Sequence, residues 1–153
     1  MKKKTLYLHS EKRPKITICA KLSNFINKSD IYLEVAKMAD NNCYFPAVAH
    51  SAYYSCVHLM QHIWFHKMNK SRADLNSGAT GMHNVLINQV GILIKSNPTN
   101  RNALDDFRIY NEKIGQLKKL RTNADYTEDS FDITKSRKSI DLAEKLIPIL
   151  KKA

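Results

Sequence analysis

The sequence predicts an all-α fold, an antiparallel bundle of about five helices. Apolar residues recur at intervals of three and four along most of the chain, which is the spacing of one face of an α-helix. The 153 residues include only four Gly and four Pro, too few for the many turns of an all-β sandwich or barrel. No apolar run approaches the roughly 20 residues that a bilayer span requires, so we expect no membrane segment.

Residues 1–21 are predicted to form a basic N-terminal arm, separate from the helical bundle of residues 22–153. Within the arm, residues 5–8 and 16–19 alternate like strands on either side of a polar break that contains Pro14, which predicts a short β-hairpin or an extended arm. Met1 and three lysines lead into no apolar segment, so we predict no signal peptide. The three cysteines lack CxxC spacing, and we expect reduced thiols in a cytoplasmic protein.

The first predicted helix begins near Ser23 and ends at Asn41-Asn42. Its apolar residues Ile31, Val35 and Met38 fall at i, i+4 and i+7, with Ala36 and Ala39 alongside them. This spacing is typical of a helix with one buried face.

The second predicted helix runs from about residue 45 to 67 and is apolar on nearly every side. A helix of this kind lies at the centre of a bundle or at an interface between subunits. We therefore predict a homodimer in which Tyr53, Tyr54 and Trp64 anchor the interface, since large aromatic residues are enriched at such positions.

The remaining elements follow from periodicity and from turn residues. Residues 68–79 are polar and predict a loop, and residues 82–94 predict a third helix. A clean amphipathic stripe predicts a fourth helix over residues 102–121. The polar segment 122–132 predicts a second loop, after which Thr134 is the expected N-cap of the last helix.

A row of ring-bearing residues at intervals of four marks the second helix: His50, Tyr54, His58, His62 and His66. Neighbouring imidazoles at this spacing could chelate a metal ion, but a structural site needs about four ligands and no acidic residue lies nearby. We therefore predict no metal site and no cofactor. Histidines that hydrogen-bond in the interior, or a polar strip that faces a partner, are the favoured interpretations of this histidine row.

A second cluster of polar residues closes the fourth predicted helix. Lys118, Lys119 and Arg121 stand in what the sequence predicts to be its last turn, where cations suit the negative end of the helix dipole. Alternatively, the three form a phosphate-binding edge, in which Arg binds bidentately and Lys acts as a point charge. Asp125 and Tyr126 are expected to cap the helix end and pack the following loop.

The net charge of +11 is large for a chain of this length. Such a field attracts polyanions, so nucleic acid is the first expected partner and an acidic protein the second. The sequence has no P-loop, no GxGxxG, no GxSxG and no EF-hand loop, which argues against the reactions and ligands of those motifs.

Two segments together resemble a known family. Residues 40–58, DNNCYFPAVAHSAYYSCVH, are similar to the AxxRAYYAxFH helix of HEPN-domain proteins, and residues 120–126, LRTNADY, resemble the LRxKADY turn of the same group. Residues 81–85, GMHNV, stand where that family carries a His-containing start to its third helix. In order and spacing, the resemblance covers about residues 22–152.

The resemblance implies an antiparallel helical bundle that dimerises and belongs to a prokaryotic toxin–antitoxin or defence system. Active members of the family are metal-independent ribonucleases with an Arg-x(4–6)-His motif, and many pair with a small nucleotidyltransferase-fold protein. Arg121 matches the family arginine. Tyr126 stands five residues later, however, and no histidine follows His83. Ser51 also replaces the arginine that many relatives carry.

The missing histidine bears on activity, because cleavage by the RNA 2′-OH needs a group that accepts a proton near neutral pH. We therefore predict an RNA- or nucleotide-binding protein without ribonuclease activity, with phosphate contacts from Lys118, Lys119, Arg121, His58 and His83. The first alternative is a metal-independent ribonuclease toxin with Arg121, Asp125 and Tyr126 as its catalytic residues. The second is a non-catalytic helical interaction protein whose charge only confers solubility.

Overall fold

The computed structural model describes residues 24–76 and 81–153, and this part of the chain is an all-α bundle, as predicted. Its helices are α1 (Phe25–Asn41), α2 (Phe45–His62), α3 (Arg72–Asn76), α4 (Met82–Lys95), α5 (Ala103–Tyr126) and α6 (Ile133–Lys152). The predicted N-terminal hairpin or arm at residues 1–21 lies outside the described residues. Within the described ranges, no helix is both long enough and apolar enough to cross a membrane.

Helix α2 lies at the centre of the bundle, where it packs against α1, α5 and α6 and continues into a π-helical turn, Ile63–Lys67. Tyr53 is fully buried and Trp64 is 4% exposed, and the Trp64 indole donates a hydrogen bond to the Ser71 carbonyl at 3.0 Å. Both aromatic rings are therefore covered by their own chain. The prediction that Tyr53 and Trp64 anchor a dimer interface is accordingly corrected, because neither offers surface to a partner.

Helix α1 leaves its predicted apolar face on the surface and buries another. Ile31, Val35 and Met38 are exposed by 55%, 43% and 63%, whereas Ala36 and Ala39 are buried. Ile26 and Leu33 also pack against the core, and the small alanines allow two helix axes to approach closely. The exposed residues form an apolar stripe on the surface, which we call the α1 stripe (Ile31, Val35 and Met38).

Predicted boundaries between helices and loops are wrong at α3, at the start of α6 and at the end of α5. Residues 68–79, predicted as a loop, contain the short helix α3. At its start, the Ser71 backbone N–H donates to the Asp74 carboxylate at 2.8 Å, and the Asp74 backbone N–H donates to the Ser71 hydroxyl at 3.1 Å. This reciprocal capping satisfies backbone donors at the helix start. Helix α6 is capped by Asp132, which accepts from the Lys135 N–H at 2.9 Å, and not by Thr134.

Candidate functional site

Helix α5 runs five residues beyond its predicted end at Arg121, to Tyr126. An ion pair between Arg121 and Asp125, four residues apart, supports the additional turn. The last turn of α5 therefore contains no basic residue. The favourable effect of the helix dipole on cations fades within the last turn, so it does not explain the positions of Lys118, Lys119 and Arg121. Asp125 and Tyr126 were expected to cap the helix end and pack the following loop; they lie instead within α5.

Arg121 is the centre of a compact cluster of polar and aromatic side chains. Its Nε lies 2.6 Å from Asp125 Oδ2 in an ion pair, and its Nη2 donates to the Tyr126 hydroxyl at 3.0 Å. The guanidinium carbon lies 4.9 Å from the ring centre of Tyr126, 5.6 Å from that of Tyr54 and 6.0 Å from that of Tyr53. Three rings and one carboxylate thus fix the position of the guanidinium.

His50, from the first turns of α2, joins the cluster through the same carboxylate. Its Nδ1 lies 3.0 Å from Asp125 Oδ2, and its ring stacks on Tyr54 with 4.6 Å between ring centres. His50 was not among the predicted site residues, although it belongs to the histidine row. Its partner Asp125 stands 75 residues later, and no local spacing reveals such a contact.

Helix α4 contributes two residues to the cluster, His83 and Asn84. The Tyr53 hydroxyl lies 2.9 Å from His83 Nδ1, and the two rings stack with 5.5 Å between their centres. The Lys118 ammonium donates to Asn84 Oδ1. Since this partner is a neutral amide, the positive charge of Lys118 is not compensated by a carboxylate within the described chain.

The structure therefore places Arg121, Asp125, Tyr126, Lys118 and His83 near one another, and their catalytic and phosphate-binding roles stay predictions. It adds residues that the prediction left out. We call the whole set the Arg121 cluster: His50, Tyr53, Tyr54, His83, Asn84, Lys118, Arg121, Asp125 and Tyr126.

The charges in the Arg121 cluster are set by burial and by one another. Partial burial acts to lower the pKa of Arg121, but the Asp125 carboxylate and the Tyr126 hydroxyl outweigh it, so this pKa is raised. Burial, Arg121 and Lys118 together lower the pKa of His83 below its usual value. His83 is therefore a neutral imidazole at pH 7, and its tautomer decides whether Nδ1 accepts from the Tyr53 hydroxyl or donates to it.

Two predicted phosphate-binding residues lie outside the cluster. His58 lies two turns along α2 from His50, where its Nδ1 bonds to the Gln61 side chain at 3.1 Å and its ring lies against Tyr32. Lys119 is exposed, and successive helical residues point about 100° apart, so it projects away from Lys118. His58 reaches the Arg121 cluster only through the ring of Tyr54, whose centre lies 6.4 Å from that of His58.

The far end of the histidine row contains a second pair of imidazoles. The rings of His62 and His66 have centres 4.9 Å apart. Across residues 24–76 and 81–153, however, no three side chains of His, Cys, Asp or Glu lie together as a metal site would require.

Comparisons of the chain with protein-family models, with curated proteins and with solved structures find no match. The resemblance of residues 40–58 and 120–126 to HEPN-domain proteins therefore stays a prediction. The chemical interpretation of the Arg121 cluster depends on its own geometry.

That geometry is suited to holding an anion. Arg121 has five N–H donors, and its contacts with Asp125 and Tyr126 engage only the Nε and Nη2 atoms. Lys118 has a further pair of N–H donors beyond its bond to Asn84. The cluster thus contains two cations, Arg121 and Lys118, and one carboxylate, Asp125, so it carries a net positive charge.

Proposed function

We propose that the Arg121 cluster binds phosphate groups of RNA or of a nucleotide. The observation that carries the proposal is the largely buried Arg121 guanidinium, held on three tyrosine rings beside Lys118, whose partner among the described residues is a neutral amide. An arginine with a fixed orientation can bind two phosphate oxygens at once, and little side-chain freedom is lost on binding. The net charge of +11 adds a long-range attraction for such ligands.

The test is the affinity for a fluorescein-labelled oligoribonucleotide, measured by anisotropy in EDTA at several salt concentrations. We expect Arg121→Ala to weaken binding at least tenfold and Lys118→Ala to weaken it several-fold. Each lost phosphate contact lowers the slope of log affinity against log salt by about 1. Lys119→Ala is the matched control, since it removes the same charge from the adjacent residue on another face of α5, and we expect a change of less than about twofold.

Two outcomes would contradict the proposal. One is that the wild-type chain shows no salt-dependent binding. The other is that Lys119→Ala weakens binding as much as Arg121→Ala, because binding would then follow total charge and not the cluster.

A metal-independent ribonuclease is the second candidate function, and a specific observation favours it. The chain has no histidine after Arg121 in the sequence, but His50 and His83 both belong to the Arg121 cluster. His83 is neutral at pH 7, and in the tautomer whose Nδ1–H donates to the Tyr53 hydroxyl its Nε2 can accept a proton from a ribose 2′-OH. His50 is held by Asp125. Cleavage of labelled RNA in EDTA that is lost in both His83→Gln and Arg121→Ala would support this function; binding without cleavage would exclude it.

The HEPN resemblance adds a proposed setting in which the chain works. A HEPN-like binding protein of this type would act in the cytoplasm as part of a toxin–antitoxin or defence system, with a nucleotidyltransferase-fold partner. Co-expression with a genomically adjacent nucleotidyltransferase, followed by co-purification, tests the partner. If neither a nucleic acid nor this partner binds, a purely structural helical interaction protein is the remaining interpretation.

The proposed homodimer now has a different candidate surface. Tyr53 and Trp64 are buried, whereas the α1 stripe exposes Ile31, Val35 and Met38 at the spacing of a helix–helix seam. Light scattering should give a mass of about twice 17.6 kDa for the wild type. We expect Met38→Glu to halve that mass, whereas a wild-type mass of one chain would rule out the dimer.

A further inference from the structure

A half-buried line of aromatic rings leads away from the Arg121 cluster along one side of α2. We call it the aromatic strip, and its members are His50, Tyr54, Tyr32, His58, Phe25 and Phe65. His50 stacks on Tyr54 at 4.6 Å, and Tyr54 lies 6.3 Å from Tyr32, whose ring meets His58 edge-on at 4.8 Å.

The aromatic strip continues beyond His58 to the far end of the helix. His58 stacks with Phe25 at 6.2 Å, and Phe25 stacks with Phe65 at 5.6 Å. Phe65 stands fifteen residues after His50, which corresponds to about 22 Å at the usual rise per residue of an α-helix. The aromatic strip is long enough to contact several nucleotides.

Exposure separates these rings from the aromatic residues of the core. Tyr53 and Tyr110 are fully buried, whereas each residue of the aromatic strip is intermediate in exposure. Tyr54 and Phe65 pack on one side against the core. The partly open rings leave surface on which a planar ligand can stack.

Positive charge is present at both ends of the aromatic strip. Arg121 and Lys118 lie at one end, in the Arg121 cluster. At the other end, the Lys28 ammonium lies 5.5 Å from the ring centre of Phe25. His58, between these ends, has a pKa lowered chiefly by burial and also by Lys28, so it presents an uncharged ring at pH 7.

We propose that the aromatic strip is a base-stacking platform for single-stranded RNA, whose phosphates are held by the Arg121 cluster and by Lys28. Stacking on aromatic rings beside a line of cations is the usual way in which proteins bind single strands without reading their sequence. A duplex keeps its bases stacked inside and cannot offer them to these rings. This inference rests on the proposed phosphate site and adds the class of ligand.

The experiment compares three labelled ligands of equal phosphate number: a single-stranded oligoribonucleotide, an abasic strand and a duplex. We expect the wild type to bind the base-bearing strand about tenfold more tightly than the abasic strand, and more tightly than the duplex. Tyr32→Leu and Phe25→Leu should each reduce that preference at least threefold while leaving affinity for the abasic strand unchanged. Leucine keeps apolar volume at each position, and circular dichroism checks that the variants fold.

Tyr44→Leu is the matched control, because Tyr44 is 66% exposed and lies outside the aromatic strip. Its preference for the base-bearing strand should equal that of the wild type. Equal binding of the base-bearing and abasic strands by the wild type would overturn the platform and leave the phosphate site standing. If the wild type binds none of the three ligands, the proposed function fails as well.

Discussion

The two ends of the histidine row have the same spacing in sequence but opposite environments in the fold. At the beginning of α2, His50 lies against the Asp125 carboxylate. The same carboxylate forms an ion pair with Arg121. At the other end, burial is the largest influence on His62, and the nearby His66 and Lys67 add to it, so all three lower the pKa of His62. The spacing of the row places the rings in a line along α2. The side chains packed around each ring decide which partners and charges it meets.

The largest expected effect is a difference in the free energy of unfolding between two variants of this end of the helix, Trp64→Ala in the core and His62→Ala in the histidine row. Trp64→Ala should lower the free energy of unfolding by about 3–5 kcal/mol, since it empties a buried site and removes the hydrogen bond to Ser71. His62→Ala, on the neighbouring face, should cost less than about 1 kcal/mol. Urea denaturation measures both. Unchanged stability in Trp64→Ala, together with a reduced mass by light scattering, would return Trp64 to a dimer interface.

The next prediction concerns pH. The pKa values of His58, His62 and His83 are lowered in the folded chain, in each case chiefly by burial. Above the unfolded value of about 6.5 the three imidazoles are neutral in both states. As pH falls below it, the unfolded state takes up protons first, so stability decreases until the folded pKa values are passed.

Unfolding by urea at several pH values between 7.5 and 5 measures this loss, and NMR titration of the imidazole protons identifies its source. The His58→Gln and His83→Gln double variant should retain a smaller pH dependence than the wild type. Stability that is constant over this range, or a His83 signal that titrates above 6.5, would show that burial does not hold these rings neutral.

A smaller effect tests the connection between α2 and α4. Tyr53→Phe removes the hydroxyl that shares a hydrogen bond with His83 Nδ1 from a fully buried position and should cost about 1 kcal/mol of stability. Tyr126→Phe is the matched control, because Tyr126 is 69% exposed and surface changes are usually within about 0.5 kcal/mol. Thermal or urea unfolding that gives equal losses for the two variants would contradict the difference in burial.

The smallest expected effect concerns the carboxylate that His50 and Arg121 share. Asp125→Asn removes its negative charge and nearly keeps its shape, so affinity for an oligoribonucleotide should rise two- to threefold at low salt. The increase should fade at high salt because screening weakens interactions between partly exposed charges. Anisotropy titrations at two salt concentrations measure it. A large loss of affinity would instead show that Asp125 is needed to orient Arg121.

The bundle and much of the Arg121 cluster were predictable because both depend on local pattern. Apolar spacing located the long helices, and Arg121, Asp125 and Tyr126 are neighbours on one helical turn. The extension of α5 was missed because polar residues favour a loop in the sequence, whereas the ion pair between Arg121 and Asp125 supports the extra turn in the fold. The buried face of α1 was missed because Ile31, Val35 and Met38 have helical spacing, and so do Ile26, Leu33 and Ala36. Packing between helices selects the second set.

Helical periodicity and composition are properties of the chain alone, so they are enough to predict an all-α bundle with a strong positive charge and a row of rings on the second helix. The contact of His50 with Asp125, the burial of Tyr53 and Trp64, and the amide partner of Lys118 became visible only in the fold. These contacts join residues that are distant in the chain, and packing between helices selects them.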